Sequence, residues 1–473
     1  MLFERFEDAG LAQYSYVAAC ERAGVAAVID PRRDVDVYLE FARARKLRIS
    51  HVLETHIHAD FASGARELAE RADAELCLSA YDTGEMYEVR YEHRALRDGE
   101  AIDVGRVRLQ ALHTPGHTPE HLSYLVYDTA RAADVPEIML SGDFLFVGSV
   151  GRPDLIGEEA KLALAGQLYE SVRRLETLSD GLEIHPAHGA GSMCGSGMSG
   201  RPMSTLGFER VANPYLRRNL SREGFVELVL GHLPPFPPYY KRMKVLNSEG
   251  PPSLGSLPGL QPIAPSTFGQ LVNEGYVVID LRDQLAFSGA HVPGAFGIGM
   301  GSSLSTWASW VVPYDTQILL VAPTADVSDA VRALVRVGLD DVRGYLDGGM
   351  AAWIAAGHEV ARIPLVSAEE VHDRLADEPA LKVLDVRSDE EWNSGHVCGA
   401  VHVMGGYLPA RAPDLASADA PFAVMCSTGY RSTVAASVLA RAGATRLINV
   451  AGGMNAWRKS GLPVCDEPRT GAN

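Results

Sequence analysis

Short apolar runs alternate with amphipathic stretches along residues 25–244. The runs at residues 25–31 and 49–53 are bounded by polar or turn residues, as is typical of buried strands. Between them, residues 34–46 place apolar side chains at the three- and four-residue spacing of a helix, and residues 61–72 read as another helix. The pattern therefore predicts an α/β domain with many short strands.

The ends of three predicted strands in this region carry nitrogen and oxygen donors: His56 and His58, then His117, then Asp143. Rigid strands aim the side chains at their ends, while the adjoining loops leave access for a ligand. Histidine and carboxylate donors suit zinc, iron or manganese. A fourth histidine, His188, follows the last short strand of the region. Together these residues predict a metal site.

A proline-rich stretch separates this region from an internal repeat. Nine of the 27 prolines lie between Pro234 and Pro265, and residues 246–262 are predicted to be a linker after a domain at residues 1–245. The repeat units occupy residues 263–363 and 364–473. The segments 278–282, 291–295 and 347–353 recur as 383–387, 396–400 and 451–457. A repeat of this length indicates a duplicated domain, and its alternating strands and helices predict a small parallel sheet in each copy.

Composition narrows the class of protein. A chain of 473 residues, at about 150 residues per domain, is expected to form about three domains. The net charge of −17 argues against nucleic acid or an anionic membrane as the main partner. The start of the chain lacks the pattern of a signal peptide, and the sequence contains no run of ~18 apolar residues that could span a membrane. We therefore expect a cytoplasmic protein. Six cysteines without paired spacing predict free thiols: Cys20, Cys77, Cys194, Cys398, Cys426 and Cys465.

The donor-bearing segments resemble the ordered motifs of the metallo-β-lactamase superfamily. They read THIHAD at residues 55–60, TPGHT at 114–118, SGD at 141–143 and PAHG at 186–189. The resemblance covers residues 1–240. It implies an αββα sandwich with a metal pocket at one edge of the sheets.

Two branches of that superfamily differ at the residue after the motif aspartate. The glyoxalase II type has a histidine there and holds two metal ions, whereas this chain has Phe61. Without that histidine, Asp60 and His188 alone would make a poor second site. The persulfide dioxygenase branch holds one Fe(II), and the resemblance carries its three ligands over to His56, His117 and Asp143.

Two histidines and one carboxylate form a facial triad that leaves positions open for O2 and a substrate sulfur. His58 either lies beside the metal without binding it or binds it as well, which would favour zinc. The segment at residues 151–154 resembles the GRxD segment of persulfide dioxygenases. Arg152 is therefore a candidate to hold an anionic thiol carrier, the alternative being a surface arginine paired with Asp154. Cys194, in a loop rich in glycine and serine, is either an accessible thiol that relays a persulfide or a bystander.

A second chemical motif lies in the last repeat unit. An apolar strand at residues 422–425 runs into the loop CSTGYR at 426–431, and a helix follows. This arrangement turns backbone N–H groups and a helix N-terminus toward Cys426. Such a cradle stabilises a thiolate, and Arg431 adds positive charge.

The loop and its flanking segments resemble rhodanese sulfurtransferases over residues 365–465. The resemblance implies that Cys426 takes up a sulfane sulfur as a persulfide, with Arg431 and the loop residues Ser427, Thr428, Gly429 and Tyr430 around it. The six-residue loop is one residue shorter than that of related phosphatases, which fits sulfur chemistry. In the first copy Ala322 falls where Cys426 does, so that copy is expected to be silent and to serve in packing, spacing or oligomer contact.

The order of the domains resembles persulfide dioxygenase–rhodanese fusions of bacterial sulfide detoxification. It implies one Fe(II) per chain and oxidation by O2 of a small thiol persulfide, built on glutathione, coenzyme A or a similar thiol, to thiol and sulfite. Cys426 would link sulfite, persulfide and thiosulfate, and we expect a homo-oligomer. Two alternatives stay open: a zinc thioester hydrolase using His56, His58 and His117, and a non-catalytic sulfur carrier or sensor.

Overall fold

The computed structural model describes residues 1–417 and 420–466. The chain divides into two compact units. The first comprises Met1–Gly255 together with Val335–Gly338, and the second comprises Ser256–Leu334 and Leu339–Asn473. None of the helices described is both long enough and apolar enough to cross a membrane.

The first unit contains two six-stranded sheets. One sheet has its strands in sequence order: β1 (Leu2–Asp8), β2 (Gln13–Cys20), β3 (Val25–Ile29), β4 (Arg48–Leu53), β5 (Glu75–Ser79) and β6 (Arg94–Leu96). The strands that follow along the chain are β7 (Ala101–Val104), β8 (Val107–His113), β9 (Leu122–Asp128), β10 (Ile138–Gly142), β11 (Leu145–Phe146), β12 (Ser149–Val150), β13 (Glu183–Pro186) and β14 (Ser204–Thr205). The second sheet has the order β14-β13-β10-β9-β8-β7, and β11 and β12 form a separate hairpin.

The helices of this unit are α1 (Asp36–Ala44), α2 (Ala65–Ala72), α3 (Glu158–Arg174), α4 (Leu206–Ala212), α5 (Arg222–Leu230) and α6 (Tyr240–Glu249). Side chains of β2 alternate between two cores, as the two-residue period of a strand requires. Tyr16 packs between the sheets against Leu109 and Tyr124, whereas Val17 packs outward toward α1 and α2. A third core joins the second sheet to α3 and α5. The layers are therefore αββα, as predicted.

Two details of this unit differ from the sequence-based expectations. The predicted helix at residues 61–72 begins only at Ala65. Gly64 precedes it, and a side chain there would lie 2.2 Å from the carbonyl oxygen of Arg32. The residues from His56 to Gly64 are a loop. At the end of the unit, α6 continues to Glu249, into the segment predicted as linker.

The second unit contains two parallel sheets of five strands. The first has the order β15-β19-β18-β16-β17 and the second β20-β24-β23-β21-β22. The first copy contains β15 (Pro262–Ile263), α7 (Pro265–Asn273), β16 (Val277–Asp280), α8 (Gln284–Gly289), β17 (Phe296–Gly297), α9 (Leu304–Val311), β18 (Ile318–Val321), α10 (Val327–Val335), β19 (Val342–Leu346) and α11 (Gly349–Ala355).

The second copy contains β20 (Leu365–Val366), α12 (Ala368–Asp377), β21 (Lys382–Asp385), α13 (Asp389–Asn393), β22 (Val401–His402), α14 (Leu408–Ser417), β23 (Phe422–Met425), α15 (Tyr430–Arg441), β24 (Leu447–Val450) and α16 (Gly453–Lys459). The strand order is the same in both copies. The predicted duplication into two parallel-sheet α/β domains is therefore confirmed.

The expectation that all six cysteines are free is wrong for two of them. Cys398 and Cys465 form a disulfide across a sequence separation of 67 residues, with their Cα atoms 5.1 Å apart. An antiparallel bridge between His396 and Cys465 brings the two segments together through two backbone hydrogen bonds of 2.8 and 2.9 Å. This long-range pairing leaves no signature in the spacing of cysteines. The other four cysteines are free and buried.

Candidate functional site

Three predicted ligands converge between the ends of the strands in the first unit. His56 follows β4, His117 lies between β8 and β9, and Asp143 follows β10. One oxygen of Asp143, Oδ2, lies 3.8 Å from His56 Nε2 and 3.3 Å from His117 Nε2. All three atoms are buried and have no hydrogen-bond partner. A buried polar atom left without a partner costs about 1–3 kcal/mol. Three such atoms facing one point, all of them metal donors, fit a single metal ion.

The other ring nitrogens of the two histidines are engaged. His56 Nδ1 lies 2.9 Å from Thr55 Oγ1, and His117 Nδ1 lies 2.9 Å from the carbonyl oxygen of Arg152. Each Nδ1–H therefore donates, which leaves the Nε2 lone pair free to bind a metal. Burial lowers the pKa of His117 to about 4 and the pKa of His56 well below its ordinary value. Both imidazoles are thus neutral at pH 7, as metal binding requires.

Asp30, at the end of β3, anchors the histidine loop and was missed by the sequence reasoning. Its carboxylate accepts hydrogen bonds from Thr55 N at 2.7 Å, Thr55 Oγ1 at 2.9 Å and His58 Nε2 at 3.2 Å. His58 lies beside His56, with 4.3 Å between the ring centroids, but its Nε2 faces Asp30. Burial opposes charge on His58, yet Asp30 raises its pKa. Asp30 thus takes up Nε2 of His58, while Nδ1 of the same ring is buried without a hydrogen-bond partner.

Asn247 on α6 holds the same loop from the other side. Its side-chain amide donates to the carbonyl oxygens of His58 and Phe61 at 2.9 and 2.8 Å, and its oxygen accepts from Ser63 N at 2.8 Å. Asn247 is itself buried. Three hydrogen bonds from one buried side chain fix the path of the backbone just after the ligand His56. No local pattern in the sequence pointed to this residue, because it lies 184 residues or more from its partners.

His188 lies between two carboxylates. Its Nδ1 is 2.7 Å from Asp143 Oδ1, and its Nε2 is 2.7 Å from Asp60 Oδ2. Burial disfavours the imidazolium, but Asp143 and Asp60 outweigh it and hold the pKa of His188 well above its ordinary value. The cationic ring supplies between these carboxylates the positive charge that a second metal ion would supply. Phe61, which replaces a possible second-site ligand, is completely buried.

Cys194 lies close to Asp60 and His188, and its side chain is buried. Asp60, His188 and Cys194 each offer one atom that could bind a metal, and these three atoms lie within 4.8 Å of one another. The side chain of Cys194 is only 1% exposed, and its Sγ is 3.6 Å from the hydroxyl of Tyr240. Burial raises the pKa of this thiol well above its ordinary value. The expectation of a reachable loop thiol is therefore wrong, because Cys194 is buried against Tyr240. Burial alone does not exclude a role in sulfur chemistry, since Cys426 is buried to the same extent.

Arg152 is buried rather than presented to a ligand. Its guanidinium donates to both oxygens of Asp154 at 2.7 and 2.8 Å, and to the carbonyl oxygens of Met193 and Pro235 at 3.0 and 3.1 Å. These protein acceptors take up the fork that a thiol carrier would need. The guanidinium of Arg152 is therefore not free to make the expected contact with a substrate. The side chain instead ties together three loops beneath His117.

The cysteine loop of the second unit forms the predicted cradle. Cys426 directly follows β23, and its Sγ accepts a hydrogen bond from Gly429 N at 3.0 Å. Gly429 has φ +123° and immediately precedes α15. The backbone of Gly453 passes so close to the loop that a side chain there would lie 2.2 Å from the carbonyl oxygen of Cys426. Gly429 and Gly453 thus fix the path of the loop, which lies at the N-terminus of α15.

Arg431 is held by a residue that the sequence reasoning missed. Its guanidinium donates to the two oxygens of Glu391 at 2.6 and 2.7 Å and to Ser427 Oγ at 2.9 Å. The hydroxyl of Ser427 donates to Glu391 at 2.6 Å. Burial alone would raise the pKa of Glu391, but its bonds to Arg431 and Ser427 hold it well below its ordinary value. Glu391 is therefore a carboxylate, and it pairs with the cation of the loop.

The outer part of the loop borders a cavity of about 670 Å³ within the second unit. Thr428 and Tyr430 line it from the second copy, and Arg282, Gln284 and Met300 line it from the first. The hydroxyl of Tyr430 donates to the carbonyl oxygen of Gly299 at 3.0 Å. The copy without a cysteine thus forms a wall beside the cysteine loop.

The first copy has the fold of the second without its reactive groups. Val321 in β18 pairs with Asp280, as Met425 in β23 pairs with Asp385. The next residue is Ala322 in the first copy and Cys426 in the second. A methyl group in place of the thiol cannot carry sulfur, which agrees with the expectation of a silent copy.

Family models match three regions of the chain. The model of the metallo-β-lactamase superfamily matches residues 9–188. The model of the rhodanese-like domain matches residues 264–356 and 367–460. These regions correspond to the αββα sandwich and to the two parallel-sheet copies.

Individual proteins are similar to the same regions. A probable metallo-hydrolase of Burkholderia pseudomallei is 27% identical over 257 residues, which make up 48% of this chain and 85% of that protein. A hydroxyacylglutathione hydrolase of Francisella philomiragia is 30% identical over 183 residues, or 39% of this chain, and the match spans 65% of that hydrolase's length. The crystal structure of a metallo-β-lactamase from Staphylococcus aureus aligns with a TM-score of 0.65 and 33% identity, over 73% of this chain and 98% of that one. The chain therefore belongs to the metallo-β-lactamase superfamily and carries two rhodanese-like domains after its metallo-β-lactamase domain.

Proposed function

We propose that the first domain is a non-haem Fe(II) persulfide dioxygenase and that the last domain is a thiosulfate sulfurtransferase. The observation that carries the first part is the group of three unpartnered donors, His56 Nε2, His117 Nε2 and Asp143 Oδ2. Two imidazoles and one carboxylate are the ligand set of mononuclear iron oxygenases. The proposed ion is one Fe(II) per chain.

The proposed reaction is RSS⁻ + O2 + H2O → RS⁻ + SO3²⁻ + 2H⁺, in which R is a small thiol carrier such as glutathione or coenzyme A. An Fe(II) held by His56, His117 and Asp143 would supply the redox chemistry and the binding of O2 and the substrate sulfur. The chain's own residues prepare the site. Thr55 and the carbonyl oxygen of Arg152 keep His56 and His117 in the neutral tautomer that binds metal. His188 balances the negative charge of Asp143 and fixes the direction of its carboxylate.

The proposed sulfur transfer at Cys426 has two steps. The thiolate attacks the sulfane sulfur of thiosulfate, a Cys426 Sγ–S bond forms, the S–S bond of thiosulfate breaks, and sulfite leaves with the bonding electron pair. An acceptor thiolate then attacks the outer sulfur of the persulfide, and the Cys426 thiolate leaves. The backbone N–H of Gly429, which lies 3.0 Å from Sγ, supports the thiolate in both steps. Run in the opposite direction, the same steps convert sulfite and a persulfide into thiosulfate.

A second candidate for the first domain is a zinc-dependent thioester hydrolase. The similarity to a hydroxyacylglutathione hydrolase favours it. One feature of the site counts against it: Phe61 takes the place of a ligand for a second metal. His58 does not decide between the two candidates, because Asp30 engages its Nε2 and leaves its Nδ1 buried without a hydrogen-bond partner. A non-catalytic sulfur carrier or sensor would require neither the three converging donors nor the cradle at Cys426, so we rank it third.

The two enzymatic candidates differ in their requirement for O2. Full-length protein is prepared anaerobically with Fe(II) or with Zn(II), and each form is offered glutathione persulfide, coenzyme A persulfide and the thioester S-lactoylglutathione. We expect O2 uptake with a persulfide by the Fe(II) form and its loss in His117→Ala. Thioester hydrolysis by the Zn(II) form, with no O2 uptake by the Fe(II) form, would instead establish the hydrolase.

A further inference from the structure

The two rhodanese-like copies provide an internal comparison between an intact cysteine loop and a silent one. Both have the same strand order. In both, an arginine forks onto the aspartate two residues before it: Arg387 onto Asp385, and Arg282 onto Asp280. In both, an aromatic ring stacks on the histidine four residues later, at 3.5 Å for Trp392 on His396 and at 3.9 Å for Phe287 on His291. Residues that build the fold are thus the same or similar in the two copies.

Other positions differ as a group. His396 and His291 are equivalent, and the residues five positions before them are Glu391 and Ala286. The strands β23 and β18 fix the equivalence of the loops, which places Cys426, Ser427 and Arg431 against Ala322, Pro323 and Val327. Besides Cys426, the residues absent from the silent copy are Glu391, Ser427 and Arg431, which hydrogen-bond to one another in the other copy. Since the first copy keeps its fold without Glu391, this carboxylate is not a requirement of the fold.

Glu391 is fixed by more than its pair with Arg431. It is the third residue of α13, and its Oε2 accepts hydrogen bonds from the backbone N and the hydroxyl of Ser388, both at 3.1 Å. Its Oε1 accepts from Ser427 Oγ at 2.6 Å, and both of its oxygens accept from Arg431. The carboxylate is therefore held at a helix N-terminus and holds two residues of the loop in turn. It remains 35% exposed, and the guanidinium is 26% exposed.

We propose that Glu391 is the positioning residue for sulfur transfer at Cys426, setting the direction of Arg431 and Ser427 and offsetting the charge of Arg431. The inference rests on the proposed sulfurtransferase activity and adds a residue to it. Thiosulfate carries two negative charges as it approaches a thiolate, and the guanidinium of Arg431 is the cation of the loop. Held by Glu391, this cation has a fixed direction and a reduced net charge. It therefore assists the departure of sulfite without retaining the anion.

The account predicts that kcat and KM for thiosulfate both fall when the charge of Glu391 is removed. Glu391→Gln keeps the size of the side chain but frees the charge of Arg431. We expect kcat with thiosulfate to fall about tenfold, because Arg431 and Ser427 lose their fixed direction, and KM for thiosulfate to fall rather than rise. Glu391→Asp, which keeps the charge one methylene further from the loop, should recover part of kcat. A purely structural role would lower kcat in proportion to the folded fraction and leave KM unchanged.

The experiment measures thiosulfate turnover to an acceptor thiol by the full-length protein. Wild type and Cys426→Ser are compared first, and then Glu391→Gln, Glu391→Asp and Glu390→Gln. Glu390 is an exposed carboxylate in the same first turn of α13, and its variant should match wild type in both constants. If the wild type turns over thiosulfate and Glu391→Gln has unchanged constants, the role of Glu391 alone is overturned. The same conclusion follows if Glu391→Gln shows only a fall in kcat that matches its folded fraction. No Cys426-dependent turnover by wild type would overturn the sulfurtransferase and this inference together.

Discussion

Replacing Thr55 by valine removes one hydroxyl beside the candidate ligand His56 and keeps the shape of the side chain. The hydroxyl accepts the hydrogen bond of His56 Nδ1 at 2.9 Å and donates to Asp30 Oδ2 at 2.9 Å. The backbone bond from Thr55 N to Asp30 is kept. The substitution therefore leaves the loop attached and removes the group that fixes the tautomer of His56.

These contacts set the expected size of two effects of the substitution, on stability and on metal affinity. Each lost hydrogen bond contributes about 0.5–1.5 kcal/mol, and the Nδ1–H of His56 is left buried without an acceptor. The free energy of unfolding of the metal-free protein should fall by about 2–3 kcal/mol. Partners that orient a metal-binding histidine contribute about 10–100-fold to metal affinity, and we expect a loss in that range.

The assay is anaerobic competition for Fe(II) between the protein and a chromophoric chelator, together with urea unfolding of the metal-free protein. Thr118→Val is the matched control, because Thr118 Oγ1 lies buried next to His117 and has no hydrogen-bond partner. Its removal should leave metal affinity unchanged and stability equal or slightly higher. If Thr55→Val bound Fe(II) within twofold of wild type, His56 would not be oriented in this way and the ligand assignment would be wrong.

Three further predictions concern stability. The pKa of His117 is lowered to about 4 from an unfolded value of about 6.5, so the unfolded chain takes up the proton first; as pH drops from 6.5 toward 4, the melting temperature of the metal-free wild type should therefore change less favourably than that of His117→Gln, and equal changes would contradict the buried neutral imidazole. Cys398→Ser removes a cross-link to Cys465 over 67 residues and should lower the free energy of unfolding of its domain by up to about 4 kcal/mol, seen by calorimetry as a loss equal to that caused by reductant. Arg152→Lys should lower the melting temperature of the first domain and leave KM for a thiol persulfide unchanged, whereas a raised KM at unchanged stability would return Arg152 to substrate binding.

The ligand histidines could be found from the sequence because the signal is local. Each donor stands at the end of an apolar strand, and the strand pattern gives both the element and its direction. His56, His117 and Asp143 meet because the ends of β4, β8 and β10 lie at one edge of the two sheets. The duplication was equally accessible, since it is a comparison of the chain with itself.

The residues that orient these ligands could not be found in the same way. Asp30 lies 25 residues before Thr55, and in the sequence it reads as an ordinary turn residue before a proline. Asn247 is a polar residue in a helix, and Glu391 is one of three acidic residues in the first turn of another. Their roles depend on which distant backbone or side chain lies opposite, and periodicity does not carry that information.

The first two strands were missed for a related reason. β1 is rich in charged residues, and β2 mixes glutamine, serine and tyrosine with apolar residues, so neither gives the continuous apolar run of a buried strand. β2 is nevertheless buried on both faces, because the second sheet packs on one face and α1 and α2 pack on the other. The polar groups are satisfied at long range: Ser15 pairs with the hydroxyl of Tyr38 at 2.6 Å, and the hydroxyl of Tyr16 donates to the carbonyl oxygen of Pro186 at 2.6 Å.

The measurement that tests the central claim most directly is the ratio of O2 consumed to sulfite formed when the Fe(II)-loaded protein turns over glutathione persulfide. Cys426→Ser is used so that sulfite is not consumed in the second domain. The account predicts that one O2 is consumed per sulfite formed and that one iron is bound per chain. It also predicts that His117→Ala abolishes both O2 uptake and sulfite formation. Sulfite formation without O2 uptake, or no turnover of any thiol persulfide by protein with a full complement of iron, would contradict it.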